Sequence, residues 1–277
     1  MTMRTRLVVA ATVALPVTAV IAGIAVIVVI GGAALFAQGF GGGRLGRYVP
    51  ISPNAKYDGR FTFVRLRYGP EVPFAGQQIP WSHDYPLGEQ HFMRILNDIT
   101  YLNPHFDQTD ILPLDAPDLF KYPVAYMAEP GFWDISGEEA ANFRAYLQKG
   151  GFVIFDDFAP RRGFPERGGG WGSFEYSFRQ VLPSAKFVDL DVKHPIFHAF
   201  YEISSFDIIP QAYDEGRPFF RGVFEDNDPA KRLIAMINYN TDVSEYWEWS
   251  DTGLKPIDES NEAYKLGVNY IIYGMTH

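Results

Sequence analysis

The chain has 277 residues, a net charge of −9 at pH 7 and no cysteine, which excludes disulfides, thiolate metal sites and a cysteine nucleophile together. Residues 1–60 hold Arg4, Arg6, Arg44, Arg47, Lys56 and Arg60 against Asp58, a net of +5, which leaves −14 on residues 61–277. So acidic a body argues against nucleic acid as a partner and against hugging anionic lipid.

Residues 7–37 carry no charge and are mostly apolar. A helix crosses a bilayer with about 20 such residues. The run also exceeds the apolar core of about 7 to 15 residues found in cleavable signals. Leu35, two positions before Ala37, makes a poor cleavage site there, and the better Gly32-Ala33-Ala34 lies inside the run. The expectation is one uncleaved transmembrane helix, in contact with membrane lipid. Arg4 and Arg6 keep its N-terminus cytoplasmic. The protein then sits in the inner (cytoplasmic) membrane as a single-pass chain, with its C-terminal domain periplasmic or otherwise extracytoplasmic.

Residues 38–60 include Gly39, Gly41, Gly42, Gly43, Gly46, Pro50 and Pro53 without an apolar period, the composition of a linker. A domain over 61–277 follows. Phe61–Tyr68 alternates as a first strand, and a proline-rich loop runs from Gly69 to Trp81. Phe92, Ile95, Leu96 and Ile99 give Leu87–Leu102 a helical spacing. Tyr122–Ala128 reads as a buried strand. Ser136 and Glu139 form a capping-box signature for the next helix, which Gly150-Gly151 ends. Phe152–Phe155 is a continuous apolar run, as in a strand buried on both faces. A Gly-rich loop precedes a helix from about Ser173 to Leu182. Further strands are expected at Lys186–Asp191, Ser205–Ile209, Phe219–Phe224 and Leu233–Ile237, and a closing helix at Glu259–Tyr273. Alternating strands and helices imply an α/β fold, with a mostly parallel central sheet and helices on both faces.

The phrases FTFVRLRYG, YPVAYMAE, YLQKGGFVIFDDF, HPIFHAF and DESNEAYKLGVNYIIYGMTH resemble a bacterial family known only as a domain of unknown function. The resemblance covers nearly all of residues 61–277. That family is similar in fold to the class I glutamine amidotransferases, with a flavodoxin-like sheet. The resemblance implies that fold, and a neighbourhood of membrane-anchored envelope proteins, but no activity.

Ligands of open α/β sheets bind beyond the carboxyl ends of the strands. That edge is expected to carry Arg67 and Tyr68, Glu129, Asp156 and Asp157, with His83 and Asp84 in the loop before the first helix. Arg67, Asp84, Glu129, Asp156 and Asp157 are the ligand-binding candidates. Adjacent strand residues face opposite ways, so Asp156 and Asp157 share a ligand only where the strand has turned. Their alternative role is to cap the next loop or to pair with Arg161 or Arg162.

No catalytic residue is assigned. Gly170-Trp-Gly-Ser173-Phe lacks the second glycine of a serine elbow. Gly168-Gly-Gly170 lacks the companion residues of a phosphate loop. No metal site and no cofactor are expected either. Pro195 interrupts the His194/His198 spacing, His83 and Asp84 are adjacent rather than facing, and Glu225–Asp228 lacks the glycine of a calcium loop. Tyr246, Trp247 and Trp249 crowd one short segment and are the partner-binding candidates, since interfaces favour such rings.

The function expected is that of a non-catalytic, membrane-anchored accessory subunit. It binds and steadies a larger membrane complex (envelope, transport, electron-transfer or photosynthetic), through other membrane or periplasmic proteins. The alternative is a hydrolase or small-ligand binder using a polar pocket at the strand ends.

Overall fold

The computed structural model describes residues 51–69, 79–158, 170–209, 212–213 and 216–277. The expected transmembrane helix at 7–37 lies outside the described residues, as do most of the 38–60 linker and Arg161 and Arg162. No helix among the described residues is long and apolar enough to cross a membrane.

The described residues form one seven-stranded sheet, in the order β2-β1-β3-β4-β7-β6-β5. Its strands are β1 Val64–Arg67, β2 Asp110–Pro113, β3 Val124–Ala128, β4 Phe152–Phe158, β5 Val188–Asp189, β6 Phe219–Phe224 and β7 Leu233–Tyr239. The run β2-β1-β3-β4-β7 is parallel, whereas β6 is antiparallel to both β7 and β5. The parallel part has the order of a flavodoxin-like sheet, and β4 is the middle strand of the whole seven.

Alternation along the strands sends side chains to two cores. Val64, Leu66, Ala125, Met127, Val153 and Phe155 face one layer, filled by helix α2 (Gly137–Gln148) and helix α3 (Trp171–Val181). Phe63, Val124, Tyr126, Phe152, Ile154 and Met236 face the other. That layer is filled by α1 (Leu87–Ile99), the short α4 (Val243–Glu248) and the closing α5 (Ile257–Thr276).

Several local expectations fit these elements. The Ser136 hydroxyl accepts from the Glu139 amide at 3.2 Å, and Glu139 returns the bond to the Ser136 amide at 2.8 Å. In α1 the inner face is Phe92, Met93 and Leu96, while Ile95 turns outward. Others differ. Ser205–Ile209 forms bends and a turn, not a strand, because Ser205 bonds locally to Asp207 instead of to a neighbouring strand. The expected strand at 186–191 shrinks to the two residues of β5.

Residues 51–60, linker by composition, lie against the domain. The Asn54 side chain exchanges two hydrogen bonds with the Ile111 backbone, at 3.0 and 2.9 Å. The Ala55 amide donates to Asp110 at 2.7 Å, and the Arg60 guanidinium donates to the carbonyls of Asn103 and Pro104.

Candidate functional site

The carboxyl ends of β1, β3, β4 and β7 meet on one edge of the sheet. The backbone there is left-handed at Asp84 (φ 61°), Glu129 (φ 43°), Asp157 (φ 60°) and Asn240 (φ 61°). This conformation is uncommon for residues other than glycine, and Asp and Asn tolerate it best. Such strain concentrates at functional sites.

Behind the edge lies a buried ion pair. Arg65 of β1 donates through Nε to Glu89 of α1 and through Nη1 to the Trp81 carbonyl at 2.9 Å. Its guanidinium also lies 5.1 Å from the centre of the Tyr126 ring. Burial works to lower its pKa, but attraction to Glu89, Tyr126 and Asp84 and the Glu89 hydrogen bond together outweigh burial, so Arg65 stays charged.

Asp156, last of the inward-facing residues of β4, holds the start of α4. Its carboxylate accepts from the Val243 and Ser244 amides, both at 3.1 Å, and from Asn238 Nδ2 at 2.9 Å. Tyr270 in turn orients Asn238, at 3.0 Å. Burial pushes the Asp156 carboxyl up to about 6, against the pull of Asn238. Asp242 caps the same helix, accepting from the Glu245 amide at 2.9 Å.

Next to this frame, His83, Asp84, Asp157 and Asp242 converge, all buried. His83 Nδ1 lies 2.5 Å from Asp157 Oδ2. The Ser244 hydroxyl donates to Asp84 Oδ2 at 2.5 Å and lies 3.2 Å from Asp242 Oδ1. The hydroxyl of Tyr213 lies 2.8 Å from both Asp157 Oδ1 and Asp242 Oδ2, while its ring is half-exposed. Burial raises the Asp84 carboxyl well above its usual range although His83 opposes it, and burial with Asp157 and Asp84 does the same for Asp242. Burial alone would lower the His83 imidazolium, but Asp84 and Asp157 carry it well above its ordinary value. Crowded carboxylates in a dry site share protons or gather positive charge.

Of the ligand-binding candidates named from the sequence, Asp84 and Asp157 enter this cluster. Asp156 and Asp157 diverge, because the pairing of β4 with β7 shifts register between Phe155 and Phe158 and the left-handed Asp157, still buried, turns to His83. Glu129 is half-buried at the end of β3, where its carbonyl accepts from the Tyr68 hydroxyl at 2.6 Å. Arg67 reaches the Gly69 carbonyl at 3.5 Å, and the buried arginine at the edge is Arg65 instead. His83 and Asp84, adjacent in sequence, do converge, since the left-handed turn at Asp84 brings both round. The Tyr246 and Trp247 rings lie in the core, with Trp247 stacked on Phe92, and Trp249 is half-buried.

Sequence reasoning missed Asp242, Ser244, Tyr213, Arg65 and Glu89. Asp242-Val-Ser-Glu245 carries a helix-start signature that pointed to α4 and its cap. Nothing local pointed to the others, whose partners are distant in sequence.

A family model described as "Domain of unknown function (DUF4159)" matches residues 62–275, nearly the whole of the described domain. The chain belongs to this family. Among curated proteins, none matches it. In this DUF4159 domain the acidic cluster draws on the β1–α1 loop, the end of β4 and the start of α4, so three separate segments must fold before it exists.

Proposed function

We propose that this chain is a membrane-anchored accessory domain without hydrolytic chemistry, which binds and steadies a larger membrane protein assembly outside the cytoplasm. One observation carries the reading. Nucleophile elbows need a strained turn that presents a thiol or hydroxyl. Among the described residues, every non-glycine position with positive φ holds an acid or an amide: Asp84, Asn103, Glu129, Asp157, Asp226, Asn227 and Asn240. The chain also lacks cysteine, so a fold similar to the class I glutamine amidotransferases brings none of their chemistry. The uncharged run 7–37 behind Arg4 and Arg6 supplies the anchor. With Tyr246 and Trp247 in the core, the exposed rings of Tyr101 and Tyr176 take their place as surface anchors.

The test is extraction of the tagged full chain in mild detergent, followed by crosslinking and native mass measurement. The expected result is a complex of fixed stoichiometry with other membrane proteins. Tyr101→Ala or Tyr176→Ala should loosen it by about 2 kcal/mol or more, as interface hot spots do, without lowering the melting temperature. A chain that runs alone in detergent overturns the reading.

A second reading, a small-ligand binder at the strand ends, is favoured by the buried Asp84. Its Oδ1 has no hydrogen-bond partner within the protein. Loss of a measurable ligand affinity in Asp157→Asn, with the assembly unchanged, would favour that reading.

A further inference from the structure

We propose that His83, Asp84, Asp157 and Asp242 form a binding site for one divalent transition-metal ion. The site does not depend on the accessory-domain reading, and its test does not use the assembly.

The geometry comes first. One ligand atom from each of the four residues lies within 4.8 Å of all the others. His83 Nδ1 is 2.5 Å from Asp157 Oδ2, 3.6 Å from Asp84 Oδ1 and 3.9 Å from Asp242 Oδ2. An ion with ligand bonds of about 2.1 Å separates tetrahedral ligands by roughly 3.4 Å. The two longer distances are close to that figure. The His83–Asp157 contact is shorter, at 2.5 Å, and would open to that figure around an ion.

The second observation is independent of the clustering. The Asp84 side chain is 0% exposed, and its Oδ1 has no hydrogen-bond partner. A buried carboxylate oxygen without a donor is costly. This oxygen lies 3.6 Å from the His83 ring nitrogen, among the four converging ligand atoms, so an ion held by them would satisfy it.

The outer contacts fit the same purpose. Each carboxylate spends its other oxygen on a protein hydrogen bond. Asp84 Oδ2 takes the Ser244 hydroxyl, Asp157 Oδ1 takes the Tyr213 hydroxyl, and Asp242 Oδ1 takes the Glu245 amide. Such outer bonds orient ligands toward a metal. The oxygens left facing inward are Asp84 Oδ1, Asp157 Oδ2 and Asp242 Oδ2, the last also within reach of Tyr213. Arg65 spends its hydrogen bonds on Glu89 and the Trp81 carbonyl, so it meets Asp84 only through the field of its charge.

Donor chemistry selects the ion. One imidazole nitrogen with three carboxylate oxygens suits manganese, iron or zinc. Calcium takes six to eight oxygens and has no use for the imidazole. A bound ion would tie the β1–α1 loop, the end of β4 and the start of α4 into one unit.

The experiment uses the full chain in detergent, stripped with chelator and titrated with Mn²⁺ by the loss of the free-ion spin-resonance signal, and with Zn²⁺ by calorimetry. One ion per chain is expected. The bound Mn²⁺ should show coupling to a single imidazole nitrogen by pulsed spin resonance. Asp84→Asn, Asp242→Asn and His83→Gln should each weaken binding at least tenfold, whereas Asp226→Asn, on an exposed acidic turn, should leave it unchanged. The wild-type chain alone decides the matter if the variants fail to fold. No stoichiometric binding of either ion, or bound Mn²⁺ without a nitrogen coupling, overturns the proposal. So do folded Asp84→Asn and His83→Gln chains that bind like the wild type.

Discussion

The indole of Trp247 stacks on the ring of Phe92, with centroids 4.4 Å apart and planes 18° from parallel. This pair joins α4 to α1 on one face of the sheet, and the rest of the Trp247 environment is core. Trp247→Ala should therefore lower the unfolding free energy by about 3–5 kcal/mol, as truncation of a buried aromatic does. Denaturant unfolding would measure it. A loss under about 1 kcal/mol would mean that the ring is not packed as described.

Gly267 of α5 lies directly against the same pair. A Cβ built there would come within 2.6 Å of both Phe92 and Trp247. Alanine is the better helix former by about 1 kcal/mol, so propensity alone predicts a gain. Overpacking costs about 1–3 kcal/mol and should win. The Gly267→Ala chain should melt below the wild type. A higher melting temperature would show that the stack has room to shift.

Ile154 is 3% exposed on the central strand, between β3 and β7. Ile154→Asp would bury a carboxylate that has no partner, at a cost of several kcal/mol. Expression of soluble, cooperatively melting Ile154→Asp protein would contradict the position of β4 in the sheet.

Stability should depend on pH through Asp156. Burial raises its carboxyl in the folded chain from the usual 3.8 to about 6, despite the Asn238 hydrogen bond. Between those values the folded state holds more protons than the unfolded state. Stability must then fall as pH rises from about 4 to about 6, and stay low above that. Asp84 and Asp242, also raised by burial, add in the same direction. The melting temperature of chelator-treated protein should be higher at about pH 5 than at about pH 7.5. Asp156→Asn should flatten that slope while lowering stability at the acidic end, since an amide cannot accept all the donors that converge there. A slope of the opposite sign would show Asp156 to be ionised in the folded chain without penalty.

How much of this was legible in the sequence varied with the range of the interactions. Phe152–Phe155 announced a strand buried on both sides because four consecutive apolar residues leave no polar face. Ser136 and Glu139 announced a helix start because their bonds span three residues. β2 gave no signal. It has four residues, begins with Asp110 and sits at the sheet edge, so it shows no period. Tyr246–Trp249 reads as a partner surface because large rings crowd one short segment, yet Tyr246 and Trp247 lie in the core and the acids beside them are not a solvated face. They are engaged inside the domain: Asp242 caps α4, and Glu245 pairs with Lys255 at 2.9 Å. The cluster itself was half visible. Asp84 and Asp157 lay on an edge that topology identifies, but Ser244 and Asp84 meet across 160 positions. No spacing rule reaches that far.

Among the described residues, one border of the sheet is covered and the other is very short. Asn54 mimics a neighbouring strand along β2 by bonding the Ile111 amide and carbonyl. At the far side β5 has only two residues, flanked by bonds from Leu190 to Phe220 of β6 and from Lys186 to Asn227. Exposed borders are where foreign strands add and where cross-β stacking begins. The covered border is no template, and so short an edge strand makes a poor one. Copies of this domain at high concentration should therefore be poor at zipping into fibrils.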